Sequence, residues 1–231
     1  MTRAPSGRIH AEELAPVGQR RPPDGAILEM HAHSSERSLD SGVRAEVIAR
    51  QAVWRGLDGL CLTEHNALWE SHELLELSER CEIALFAAME LGTDAGHVLV
   101  FGLDRYHPEL LMLDRLRRVV EYDGAAMVMA HPMRTFHGKR PGWDEIPAYF
   151  EGIEAINGDH SDGEGGYLIR QAQQYSVASI GGSDVHSRDA VGRVATLFPR
   201  MPRDIGDLAS LIRVRECEPV DFRPRPANAA G

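Results

Sequence analysis

Short apolar runs alternate with amphipathic stretches along most of this chain. The runs at 27–31, 57–63, 83–89, 97–103, 125–130, 153–156 and 177–181 have the length and composition of buried strands, and 193–198 adds one more. Between them, residues 43–54 set Val43, Val47, Ile48 and Val53 roughly at helical spacing, and 68–81 places Leu74, Leu75 and Leu77 among Glu and Ser. Residues 108–122 start with Pro108 and carry Leu110, Leu111, Leu113, Leu116, Val119 and Val120 in register, the pattern of a helix with one buried stripe. Helices are also expected at 143–150, at 167–175 and at 204–214, where Ile205, Leu208, Leu211 and Ile212 share a side.

Roughly seven strands alternating with helices predict parallel βαβ units. A closed barrel and an open doubly wound sheet both satisfy that pattern. The barrel is favoured, because His and carboxylate residues sit at the end of nearly every strand, where (β/α) barrels build their sites. An open sheet would concentrate them at one crevice, and no G-x-G-x-x-G or Walker-type loop supports it. Residues 1–25, rich in Pro, Gly and Arg, read as a flexible leader; 26–216 form the domain. Residues 217–231, with Pro219, Pro224 and Pro226, read as a flexible tail.

A length of 231 residues with 43% hydrophobic positions suits one sizeable domain. The net charge of −10 counts against long nucleic acids as partners, whose phosphates need a basic face. Cys61, Cys81 and Cys217 are scattered without a C-x-x-C, so neither a disulfide framework nor a zinc knuckle is expected, and a reducing compartment, the cytoplasm, fits. No apolar run approaches the ~18 to 20 residues of a membrane-spanning helix.

The polar strand ends carry the chemistry. His31 and His33 lie two apart, a spacing that on a strand turns both rings to one side and lets both bind one ion. Alone, the pair would equally suit two solvent-facing loop histidines. Asp184 and His186 repeat the spacing, and Glu64-His65 offers a carboxylate and an imidazole at another strand end. Glu90 follows an apolar run, where burial is costly without a partner; a metal pair or a salt bridge would supply one. His131 precedes Pro132, which favours an extended backbone there and ends the strand.

Taken in order, these segments resemble the PHP family, named for polymerase and histidinol phosphatase. The family pattern is an H-x-H followed by an Asp, then T-D-H-N, a Glu followed by a His, H-P, and S-D-x-H. Here it reads His31-Ala32-His33 with Asp40, Thr63-Glu64-His65-Asn66, Glu90 with His97, His131-Pro132 and Ser183-Asp184-Val185-His186. The resemblance implies an α/β fold, a distorted (β/α)7 TIM-like barrel with a metal site at the C-terminal ends of the strands. It implies one ion held by His31, His33, Glu90 and Asp184, a second sharing Glu90 and adding His97 and His131, and a third on Asp40, His65 and His186. It departs from the family at Glu64, which replaces an Asp and is read as orienting a neighbouring ligand, although its longer arm could reach a metal. The segment before Asp40 is also slightly long, which leaves Glu36 as a substitute ligand.

Such ligands suit two to three divalent transition-metal ions, Mn, Fe or Zn. The implied reaction is hydrolysis of a small phosphorylated metabolite or nucleotide by attack of a metal-bridging hydroxide, with Glu90, His131 and Asp184 as catalytic residues. The alternatives are a nuclease or nucleotide phosphodiesterase, and a metallohydrolase of a non-phosphate ester, amide or carbamate. Arg134 and then Arg188 are the best candidates for binding a substrate phosphate, ahead of Lys139, Arg140 and Arg193, although each would also suit a solvated loop charge. Asn157, at a strand end, either faces the site or caps a turn. His137 and His160 are loop histidines without an assigned partner, and His10, His72 and His107 read as surface residues. The partner expected is a small phosphorylated molecule; the oligomeric state is open.

Overall fold

Strand β1 (Ala26–Glu29) is an inner strand of a nine-stranded sheet in the computed structural model, which describes residues 24–136 and 138–224. The expected leader up to residue 23, His10, His137 and the tail from 225 onward lie outside the described residues. Strand β1 runs parallel to β2 (Gly59–His65), and β2 parallel to β3 (Ala84–Thr93). Strand β4 (Gly96–Phe101) is antiparallel to both β3 and β5 (Ala126–Met129). Strands β5, β6 (Gly152–Asn157) and β7 (Ala178–Gly182) are again parallel. On the other side of β1, β8 (Val194–Phe198) and β9 (Glu218–Asp221) pair antiparallel.

The all-parallel expectation is therefore corrected at three strands. Only Asp94 and Ala95 separate β3 from β4, and so short a link forces a hairpin, because a parallel crossover needs a dozen or more residues. The expected tail is corrected as well. Glu218–Asp221 is an ordered edge strand with Pro219 and Val220 buried, and an edge position tolerates a proline that cannot donate to the ladder.

The sheet curls until its ends meet. Beyond β1 and β7 the chain continues as a parallel bridge between Ala32 and Val185, with His33 N–H donating to Val185 O at 3.0 Å and Val185 N–H to His31 O at 3.1 Å. Lower down, Gly181 N–H donates to Thr196 Oγ1 at 2.9 Å, and a Cβ on Gly181 would meet Ala195 O at 2.6 Å. The result is a nearly closed, distorted barrel.

Six α-helices lie among the described residues: α1 (Ala45–Trp54), α2 (Ser71–Cys81), α3 (Leu113–Asp123), α4 (Ile146–Tyr149), α5 (Asp162–Tyr175) and α6 (Ile205–Arg213). The expected helix at 108–122 is split, because Met112 is extended and ends a 3₁₀ turn over Pro108–Leu111 before α3 begins. Helix α5 starts earlier than its apolar stripe, where Ser161 and Glu164 form a reciprocal capping box.

Alternation along the strands decides what faces inward. Cys61, Phe86, Ala88, Leu99, Phe101, Val128 and Ile180 fill the barrel, and Leu208, Ala209 and Ile212 of α6 pack onto the same cluster. Their opposite-facing neighbours, such as Leu60, Met89 and Val100, pack in the outer layers with the other helices. Continuing the inward phase toward the strand ends gives His65 after Cys61, Glu90 after Ala88, and His97 before Leu99. No helix among the described residues is long and apolar enough to cross a membrane.

Candidate metal centre

Glu90, fully buried near the end of β3, sits among five histidines. Its Oε1 is 2.9 Å from both His97 Nδ1 and His131 Nε2. Its Oε2 is 3.0 Å from His65 Nδ1, 3.3 Å from His33 Nε2 and 3.5 Å from His31 Nε2. Asp184 Oδ1 lies 3.4 Å from the same nitrogens of His31 and His33. Asp40, at the open side, places Oδ2 2.9 Å from His65 Nε2 and 3.3 Å from His186 Nε2.

The structure thus brings all nine expected ligands together. Three groups have their ligand atoms within 4.8 Å of one another: His31, His33 and Asp184; Glu90, His97 and His131; His33, His65 and His186. The first two follow the expected division, with Glu90 reaching both. In the third, His33 joins His65 and His186 while Asp40 approaches from solvent.

The donor set fits metal ions on a further observation. His31 Nε2 and His33 Nε2, the nitrogens that face Glu90 and Asp184, are buried without a hydrogen-bond partner, a cost that a cation on a ring lone pair removes. Burial raises the Glu90 carboxyl, but His31, His131 and His33 outweigh it and hold it well below the usual range. Asp184 is lowered in the same way by His31 and His33. His31 moves well above its ordinary value: burial works against its charge, but Glu154, Asp184 and Glu90 outweigh it.

The surrounding residues hold this cluster in place. Glu64 points away from it, into the loop after β1. It accepts from Ser34 N–H at 3.0 Å, Ser34 Oγ at 2.5 Å, Ser38 Oγ at 2.6 Å and Trp69 Nε1 at 2.8 Å. Ser38 Oγ in turn accepts from His65 N–H at 3.1 Å, so the longer carboxylate arm steadies a ligand strand. Glu36 is corrected as a substitute ligand: its carboxylate takes the Ala45 N–H at the start of α1, at 3.0 Å. His131 is also corrected, since its φ is +28° instead of extended. Its N–H is held by Glu154 Oε2 at 2.8 Å, and Arg134 N–H closes a turn onto its carbonyl at 3.0 Å. Asn66 and Asp184 also have positive φ, at 50° and 55°. Such strain clusters at sites whose surroundings over-determine the backbone.

Among the proposed substrate residues, Arg134 reaches the site. Its Nη2 lies 2.7 Å from Asp184 Oδ2 and 3.5 Å from Asp159 Oδ2, and the side chain is partly open to solvent. Arg188 is instead turned to α1, where Nε donates to Gln51 Oε1 at 3.1 Å. Asn157 is fully buried, donating to Glu154 Oε2 at 3.0 Å and accepting from Asp159 N–H at 3.0 Å; it caps a turn and does not face a substrate. Lys139 and Arg140 line a separate cleft with Asp94 and Asp114. His160 is buried and accepts from Asn157 N–H at 3.2 Å, whereas His72 and His107 are exposed.

Two residues escaped the sequence reading. Glu154 is fully buried with Oε1 2.8 Å from His31 Nδ1. Glu29 is fully buried too, accepting from Ser183 N–H at 2.8 Å and Gly192 N–H at 3.1 Å, and burial pushes its carboxyl up to about 7. The available signal was a single charge interrupting each apolar run.

Comparison with known proteins adds a family model described as PHP domain, which matches residues 29–199. An error-prone DNA polymerase of Cutibacterium acnes is 32% identical over 100 residues, 38% of this chain but 9% of the polymerase, so the chain spans about a tenth of that relative. A two-domain protein of Bacteroides vulgatus, containing a predicted PHP-like metal-dependent phosphoesterase, superposes with a TM-score of 0.63 at 20% identity, covering 88% of this chain and 69% of that one. PsfC of Pseudomonas syringae gives 0.63 at 23% identity, covering 86% and 92%. An amidohydrolase of Chromobacterium violaceum, with bound sulfate and no metal, gives 0.61 at 17% identity, covering 88% and 99%. These solved structures share the fold.

Proposed function

The chain belongs to the PHP domain family, and on that premise we propose that it is a metal-dependent phosphoesterase acting on a small phosphorylated metabolite or nucleotide. The observation that carries this reading is Glu90, a buried carboxylate whose two oxygens are shared among five histidines, with Asp184 beside them. His31, His33, Glu90 and Asp184 would hold one ion, Glu90, His97 and His131 a second, and Asp40, His65 and His186 a third. Bound Mn, Fe or Zn would supply a Lewis acid for a phosphoryl oxygen and a nucleophilic water near neutral pH.

The residues themselves sort into a buried floor and an open rim. His31 and His33 are inaccessible, whereas His65, His97, His186 and Asp40 are partly exposed, so a substrate approaches over the second group. Arg134 stands at that rim. Its guanidinium fork suits two phosphoryl oxygens, and its charge offsets what develops on them as the ester bond breaks. Asp184 Oδ2 holds the guanidinium on the ligand side. The three cysteines are free and buried, which supports a reducing, cytoplasmic setting.

Protein with quantified metal, assayed on phosphomonoesters, nucleotides, cyclic phosphodiesters and carboxylic esters, tests the reading. Two to three ions per chain and fastest turnover on a monoester with Mn are expected. No bound metal, and no hydrolysis with any divalent ion, would overturn it; preference for a diester or carboxylic ester would replace phosphomonoester chemistry with one of the alternatives.

A further inference from the structure

Glu154 lies outside the ligand set, yet it touches two members of it. Along β6, Ile153 and Ala155 pack into an outer layer, so alternation turns Glu154 into the barrel, where it is fully buried. A buried carboxylate is costly unless donors surround it, and here three do. Oε1 faces His31 Nδ1 at 2.8 Å; Oε2 takes the His131 N–H at 2.8 Å and Asn157 Nδ2 at 3.0 Å. Two of these donors cannot reverse. A backbone N–H only donates, and the Asn157 amide is fixed because its Oδ1 already accepts from Asp159 N–H. The backbone has also made room for the pair. A Cβ on Gly182 would lie 2.5 Å from His31 Cβ and 2.8 Å from Glu154 Oε1, so His31 and Glu154 fill the space of a side chain at 182.

We propose that Glu154 is a positioning residue serving two of the metal groups at once. It keeps the proton of His31 on Nδ1, which leaves the Nε2 lone pair aimed at Glu90 and Asp184. It also clamps the His131 backbone at positive φ, which turns that ring toward Glu90. Glu154 acts only through these two histidines. The inference rests on the reading that the centre binds metal.

Glu154→Gln separates the two roles. The amide oxygen must follow the two fixed donors, His131 N–H and Asn157 Nδ2. The amide NH₂ then meets His31 Nδ1 and drives the histidine proton to Nε2, which removes that nitrogen as a ligand. Losing such a support weakens metal binding by about 10- to 100-fold. Chelator-competition titration with Zn should therefore show one ion per chain weakened by that factor, while the ion on Glu90, His97 and His131 is retained. Glu154→Ala, which also frees His131, should weaken two. In Zn-loaded wild-type protein, ¹⁵N–¹H spectra of the imidazoles should place the His31 proton on Nδ1, a readout that needs no variant to fold. Wild-type affinity in the Gln variant, or a His31 Nδ1 without a proton, overturns the proposal. Wild-type protein that takes up no metal sinks the phosphoesterase reading together with it, whereas metal uptake unaffected by Glu154→Gln sinks this inference alone.

Discussion

On the proposed reading Arg134 binds substrate and Glu90 binds metal, and substitution should separate them. Arg134→Ala removes a charge-assisted contact worth about 1.5–3 kcal/mol, so KM for phosphorylated substrates should rise by roughly 10- to 100-fold with metal content unchanged. A fall in metal content would instead make Arg134 a support for Asp184. Glu90→Gln replaces the shared carboxylate with a group carrying one acceptor, and both metal content and turnover should collapse. At this scale the ligands were legible in the sequence, because His and carboxylates at strand ends announce themselves. Their supports were not. Glu154 and Glu29 look like flaws in apolar runs until the partner strands are in place. The sequence leaves Asn157, Arg188 and Glu36 open between site and structural roles because their partners, Glu154, Gln51 and the Ala45 N–H respectively, come from neighbours that only folding identifies.

Helix α6 packs its apolar side onto the barrel interior, and its first turn is where its stability can be tested. Asp204 caps it, accepting from Asp207 N–H at 2.7 Å. Asp204→Ala should cost about 0.5–2 kcal/mol in chemical denaturation. Asp207 then bonds Arg200 Nη2 at 2.9 Å and Arg203 Nη2 at 3.1 Å, and these bonds hold its carboxyl below the ordinary value of 3.8. A depressed folded-state value means that the ionised form stabilises the fold at neutral pH and that this contribution fades as pH falls below about 4. Asp207→Asn should therefore be less stable than the parent at pH 7, and the gap should narrow toward pH 2; a gap constant with pH would refute the ion-pair account. Most elements followed from periodicity. The exceptions have local causes that periodicity does not encode: a two-residue link at Asp94-Ala95 that makes a hairpin, an extended Met112 that breaks a helix, and a pairing partner in β8 that orders Glu218–Asp221.

For the whole molecule the sequence indicated a barrel, while closure depended on a detail visible only in three dimensions. Gly181 lets β7 approach β8, since a Cβ there would meet the backbone oxygen of Ala195, which cannot move aside. Gly181→Ala should cost about 1–3 kcal/mol through overpacking. Gly92→Ala, also in a strand but with nothing within 4 Å of its Cβ, should shift stability by no more than about 0.5 kcal/mol. Equal melting temperatures for the two variants would mean that the seam is looser than its geometry. The bond from Ser183 N–H to the Glu29 carboxylate spans 154 positions along the chain and sits at this seam, beside His31 and Asp184. That span has a meaning in time as well as in space. At ~5–20 residues per second, the ribosome adds Asp184 roughly 8 to 30 s after His31. During that interval the growing chain displays histidines that have no carboxylate from the far side of the barrel to complete their group. On the proposed reading, a nascent fragment that stops before residue 184 cannot hold the first ion with its full ligand set, so the centre is assembled only after β7 has been made.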